Sequence, residues 1–244
     1  MHSFGQLRSH TQQTLSSWLN LVFNQPCTLC DRPTQNTFCV DFQLLQQATL
    51  SSSFSTLQWS DDTWPIYALA PYAVSLKQAL SYLKYNHCPR IGAALGIAVA
   101  QRWSAMAAHP DYNASRGAAS YVIPIPLHPN RQAQRGYNQA EVIARAFCQT
   151  SGLPLIANGL SRVQDTLPQY QLGKQSRQEN LKGAFAVSRK LLKKQTNARK
   201  PISVLLIDDI YTTGTTIRCA VQALAKDGIE TTGVLTIARA TWDD

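Results

Sequence analysis

The chain has 244 residues, enough for one large domain or one domain with a small appendage, and enough to bury a core without disulfide staples. Its 23 Lys and Arg against 14 Asp and Glu give a formal charge of +9, which favours phosphorylated small molecules, nucleic acid or a membrane surface without choosing among them. No segment approaches the roughly 20 apolar residues of a transmembrane helix, and the N-terminus lacks the apolar core and cleavage site of a secretory signal. A cytoplasmic protein without membrane insertion is expected, its six cysteines reading as reduced thiols or metal ligands.

The elements are read in chain order. Residues 5–23 can form a helix with Leu7, Leu15, Trp18, Leu19 and Val22 near one face. A cysteine-bearing stretch, 26–42, follows. Residues 43–63, rich in Gln, Ser and Thr, read as loop or linker with at most a little helix. This gives an N-terminal segment 1–63 ahead of a domain at 64–244. PIYALAPY predicts a strand ending at Pro71, and SLKQALSYLKY a helix through Leu76, Leu80 and Leu83. A second helix is expected at about 91–106 and a loop at 107–119. YVIPIPL, 121–127, is a short apolar run bounded by prolines, a buried strand leaving its sheet. A helix at 137–150, short strands and loops at 159–187, and a basic connector at 189–200 follow. The chain closes with a strand at 204–207, a helix at 215–226 and a strand at 232–237. Alternating strands and helices across 64–240 argue for an α/β fold with a mostly parallel central sheet flanked by helices.

The sharpest feature is VLLIDDIYTTGTT, 204–216. Asp208 and Asp209 stand side by side after a buried apolar run, where adjacent carboxylates repel each other and lose solvation. A purely structural role seldom needs both, and in an open α/β sheet the carboxyl end of a strand is where ligands bind. Thr212, Thr213, Gly214, Thr215 and Thr216 then supply hydroxyls, one flexible position and a helix N-terminus with its unpaired N–H groups and partial positive charge. Such a loop can wrap one phosphate while the carboxylates accept hydrogen bonds from sugar hydroxyls. A P-loop is excluded because no Lys follows the glycine, and a dinucleotide loop because only one Gly is present.

A second informative stretch is YVIPIPLHPNRQAQRGYNQAEVIARAF, 121–147. His128, Arg131, Arg135 and Asn138 cluster after the strand exit, and two arginines beside a phosphate site can neutralise a diphosphate through bidentate contacts. Viewed alone, the stretch can also be read, less favourably, as a basic solvated loop leading into a helix.

The run 204–216 resembles the motif for 5-phosphoribosyl 1-diphosphate (PRPP) of type I phosphoribosyltransferases. The resemblance implies that the acidic pair binds the ribose hydroxyls and the loop the 5′-phosphate. The stretch around Arg135-Gly136-Tyr137-Asn138-Gln139-Ala140 resembles the ComF family, phosphoribosyltransferase-like proteins linked to DNA uptake in natural competence. TLPQYQLGKQSRQENLKGAF, 166–185, and Leu83-Lys84-Tyr85 match as well, so the likeness spans roughly 64–240. It implies a type I phosphoribosyltransferase fold, and pyrophosphate and mobile loops at 121–138 that meet the diphosphate, usually as its Mg2+ complex. Two functions stay open: a PRPP-dependent transferase, or a non-catalytic competence factor that binds a nucleotide or single-stranded DNA beside a helicase partner.

The cysteines follow from the same resemblance, since ComF proteins commonly carry a zinc module of two C-x-x-C pairs. Cys27 and Cys30 form the first pair, and Cys39 begins a second whose partner position, 42, is Phe. A structural zinc site needs four ligands. The segment is therefore either a Zn2+ site completed from elsewhere, with Cys88, His87 or His10 as candidates, or a relic of one. The six Lys and Arg of 189–200 can touch DNA phosphates or simply line a solvated loop.

Overall fold

The computed structural model describes residues 25–27, 33–35, 55–57, 64–72, 74–107, 119–163, 183–198 and 200–240. The chain divides into two units, Met1–Gln47 and Ala48–Asp244. In the first, β1 (Gln25–Pro26) pairs antiparallel with β2 (Pro33–Thr34), and Cys27 is buried. The helix expected at 5–23, together with Cys30, Cys39 and Phe42, lies outside the described residues, as do the loop at 108–118 and the segment 164–182.

The second unit is built on five strands. They are β3 (Ser55–Leu57), β4 (Ile66–Pro71), β5 (Tyr121–Pro124), β8 (Ser203–Tyr211) and β9 (Glu230–Arg239), in the order β3-β4-β9-β8-β5. A small antiparallel pair, β6 (Leu160–Arg162) with β7 (Phe185–Val187), stands apart from this sheet. The four strands β4, β9, β8 and β5 run parallel, and β3 adds antiparallel at the edge. The expected mostly parallel α/β sheet is thus the observed one. The physical reason is visible in β8: Val204, Leu205, Leu206 and Ile207 are all fully buried, as a strand covered on both faces requires. Burying each such side chain contributes about 1.5–3 kcal/mol before entropy is counted.

Helices cover the faces. α1 (Val74–Tyr85) and α2 (Pro89–Ala107) precede β5; α3 (Pro129–Arg135) and α4 (Gln139–Ser151) follow it. α5 (Arg189–Asn197) and α6 (Thr215–Lys226) flank β8. α2 packs closely on α4, and Trp103 of α2 sets its ring edge-on against Tyr67 at 5.4 Å and Phe147 at 6.2 Å. A second cluster joins Ile66, Ile123, Leu206 and Val234 of the sheet to Ile217, Val221 and Leu224 of α6 and to Leu191 of α5.

Three segments differ from the sequence reading. The stretch 43–63 contributes β3, whose residues pair with Ile66, Tyr67 and Ala68. The basic connector forms α5: Ser188 caps it by accepting the Leu191 N–H, and Leu191 is fully buried. Residues 129–135 form a short helix with Pro129 in its first turn, a position where the missing N–H costs nothing. Among the described residues no helix is long and apolar enough to cross a membrane.

Candidate phosphoribosyl site

β8 extends through Tyr211, so Asp208 and Asp209 sit within the strand near its carboxyl end rather than beyond it. Both line a cavity of about 390 Å³ at the carboxyl ends of β5 and β8. Asp208 Oδ1 accepts the backbone N–H of Asp209 at 2.8 Å. Burial, reinforced by the neighbouring Asp209 charge, pushes the Asp208 carboxyl up to about 8. That hydrogen bond, Lys84 and Arg162 all pull it the other way.

The loop after the strand turns at Gly214, whose φ of 73° lies in the left-handed region. A Cβ there would run into the Tyr211 hydroxyl and come within 2.9 Å of Arg218, so the turn has no room for a side chain. Thr213 and Thr215 join their hydroxyls at 2.9 Å, and Arg218 braces the loop by donating to the Thr213 carbonyl. No side chain caps α6. The N-terminus of a helix, with its N–H groups and partial positive charge, suits an anionic acceptor such as a phosphate. Thr212, Gly214 and Thr216 line the cavity, whereas Thr213 and Thr215 support the turn from outside its lining.

The opposite wall comes from the 125–140 segment. Asn138 is nearly buried and does two jobs: its Oδ1 accepts the Ala140 N–H at 3.1 Å, capping α4, and its Nδ2 donates to the Ile125 carbonyl at 2.9 Å. It thereby ties the exit of β5 to α4. Arg131, Arg135 and Asn138 all line the cavity. His128 does not; it caps α3, its Nδ1 accepting the Asn130 N–H at 3.3 Å.

Four residues that sequence reasoning left unassigned complete the wall. Lys84, in the last turn of α1, sets its Nζ 2.9 Å from Asp209 Oδ2. Burial alone would lower the ammonium's pKa, but Asp209, with help from Asp208, outweighs it, and the net direction is up. Arg162, at the end of β6, is 8% exposed and lies 5.8 Å over the Phe185 ring. Tyr85 stands at the rim beneath the Arg135 guanidinium, 5.5 Å from its ring centre. Gln139 accepts from Arg135 at 3.1 Å, while its buried Nε2 has no hydrogen-bond partner. Two signals could have found the cations. Lys84 falls at i+4 from Leu80, on the face that Leu76, Leu80 and Leu83 bury. Arg162 alternates with buried Leu160 in β6 and so shares its inward face.

The cavity thus sets four cationic side chains, Lys84, Arg131, Arg135 and Arg162, around Asp208 and Asp209. It suits an anionic ligand bearing hydroxyls. As for metals, Asp209 already holds an ammonium, so the acidic pair does not fit a ready-made divalent site. Among the described residues no group of three or more His, Cys, Asp or Glu could hold a metal ion, and Cys30 and Cys39 are not among them.

Comparison with known proteins gives sequence relatives. The chain is 36% identical over 119 residues to competence protein F of Haemophilus influenzae, a match covering 49% of this chain. It spans half the length of that relative. It is 25% identical over 213 residues to competence protein ComFC of Bacillus subtilis, covering 87% of this chain and 76% of that one. A third relative is the DNA utilization protein YhgH of Escherichia coli K12, 23% identical over 219 residues and covering 87% and 89%. Among solved structures it is similar to adenine phosphoribosyltransferase from Leishmania donovani, at a TM-score of 0.38 and 13% identity over 82% of this chain and 69% of that one. It is also similar to Leishmania donovani UMP synthase, at a TM-score of 0.35 and 18% identity over 80% and 31%. No family model matches.

Proposed function

We propose that this chain belongs to the ComF family, binds PRPP or a related phosphoribosyl ligand in the cavity at the carboxyl ends of β5 and β8, and serves DNA uptake in natural transformation. The carrying observation is the joint lining of one cavity by the acidic pair, the uncapped start of α6 and four cations. In this reading the ribose diol donates to Asp208 and Asp209. The 5′-phosphate lies on the turn at 212–216, and the diphosphate faces Arg131 and Arg135. Magnesium enters as part of the ligand's diphosphate complex, since Asp209 is already paired with Lys84. The relatives' names, competence and DNA utilization, support the cellular role.

In a transfer reaction the bond from the sugar to the diphosphate would break and an acceptor would take its place. The protein's contribution would be placement, and charge on Arg131 and Arg135 facing the departing group. Calorimetry with PRPP and Mg2+ tests the binding: wild type is expected to bind, and the Asp208→Asn/Asp209→Asn variant to lose about a hundredfold, the scale of one charge-assisted and one neutral hydrogen bond. Equal binding by both proteins would remove the assignment. Pyrophosphate release across a panel of bases then separates an enzyme from a ligand-binding factor.

A second reading, a single-stranded DNA contact beside a helicase partner, is favoured by one observation. Arg189, Lys190, Lys193 and Lys200 are exposed and pair with no carboxylate among the described residues, and no acidic residue occurs in 180–207. Lys193, Lys194 and Lys200 line a groove of about 550 Å³ beside Tyr121, at the opposite end of the strands from Asp208. Reversing Lys193 and Lys194 to Glu should weaken binding of labelled single-stranded DNA and flatten its salt dependence by about one unit of slope per lost contact. The Asp208/Asp209 variant should leave that affinity unchanged.

A further inference from the structure

Lys84 is held where it is by more than its own charge. Leu83 is fully buried, and its carbonyl accepts the Tyr137 hydroxyl at 2.6 Å, which pins the last turn of α1 to the junction between α3 and α4. Tyr85, next along, lies under Arg135. Between these two anchors the Lys84 side chain, 19% exposed, reaches Asp209, itself 15% exposed, at 2.9 Å. A flexible surface lysine would spend entropy to hold one such geometry. Here the Lys84 side chain is itself mostly buried, so packing already restricts its rotamers and the ion pair costs less additional entropy.

The location matters. Paired carboxylates at the mouth of a cavity are an arrangement that divalent cations take readily through oxygen ligands. An ammonium is a single point charge with three donors and no open coordination position. It can neutralise a carboxylate, hold it in place and still donate outward. Arg162 and Arg135 add positive charge to the same cavity. A free dication approaching Asp209 would meet a fixed cation within a few ångströms.

We propose that Lys84 is a tethered counter-cation that occupies the acidic pair in place of a divalent metal, so that the pair takes no metal of its own. Lys84 is a positioning residue: it neutralises and orients Asp209 for a hydroxyl donor and reserves the cavity's metal for an ion carried in on the ligand's diphosphate. The inference concerns the carboxylates themselves and holds whichever phosphoribosyl ligand the cavity takes.

Mn2+ alone, titrated into the full chain and followed by electron paramagnetic resonance, tests this without any nucleotide. Wild type is expected to show no Mn2+ site that depends on Asp209, judged against Asp209→Asn. Lys84→Met is expected to bind Mn2+ tenfold or more tightly than wild type, the scale of relieving like-charge repulsion at about 4 Å. Lys84→Arg should keep metal out, and Lys84→Met/Asp209→Asn should lose the gain. A merely structural lysine would produce no new metal site. An Asp209-dependent Mn2+ site in wild type overturns the proposal, and that arm needs no Lys84 variant to fold. A Lys84→Met protein with native circular dichroism and no gain in Mn2+ affinity overturns it equally.

Discussion

Asp208 shows the cost of the site at a single residue. Burial and the Asp209 charge hold its carboxyl near 8, far above its ordinary value of 3.8. Across that window the folded chain keeps a proton that the unfolded chain has released. The contribution to stability is therefore full below about 4 and lost as pH rises through about 8. Asp208→Asn retains an oxygen to accept the Asp209 N–H but carries no charge. Its melting temperature should exceed that of wild type at pH 8 and approach it at pH 4, by about 2–4 °C for each kcal/mol at this chain length. A lower melting temperature for the variant at pH 8 would contradict this account of the carboxyl. The residue scale was also where the sequence was most and least legible. Asp208, Asp209 and Gly214 announce themselves because charge after a buried apolar run and a lone glycine before a helix are local signals. Lys84 and Arg162 do not, because their partners are brought near only by the assembled fold.

At the scale of elements, the site depends on how closely α2 and α4 pack. Gly96 makes this contact: a Cβ there would collide with the Ile143 carbonyl and come within 2.8 Å of the Ala146 methyl. Alanine is ordinarily better than glycine in a helix by about 1 kcal/mol. At this position the sign should reverse, because α4 cannot move without disturbing Asn138, which joins it to the end of β5. Denaturant unfolding of Gly96→Ala should give a loss of about 1–3 kcal/mol, the range for overpacking; a gain would show that the helices separate freely. Strands and long helices were legible from periodicity. α3 and α5 were not, because short helices rich in Arg, Lys and Gln carry little apolar pattern. Their start signals, Pro129 after His128 and the Ser188 cap, are visible once looked for. β3 escaped because a three-residue edge strand in a polar stretch has no periodicity to read.

Over the whole molecule, the +9 charge is unevenly used. One group of cations, Lys84, Arg131, Arg135 and Arg162, surrounds the acidic pair at the carboxyl end of the sheet; another, on and beside α5, lies at the amino end. The first fits a small anion with hydroxyls, the second an extended polyanion. The fold class was legible because alternation of strand and helix patterns is a property of the whole chain, whereas strand order was not, since β9 inserts between β4 and β8 through pairings no local pattern encodes. The account of the carboxyl end rests on the cavity being a phosphoribosyl site. The most direct test is a crystal structure of the full chain soaked with PRPP and Mg2+. The account predicts the 5′-phosphate on the backbone N–H groups at 212–216, the ribose hydroxyls on Asp208 and Asp209, and the Lys84–Asp209 contact retained. Density for the ligand in the groove beside Lys193 and Tyr121 instead, with the cavity at Asp208 unoccupied, would contradict it.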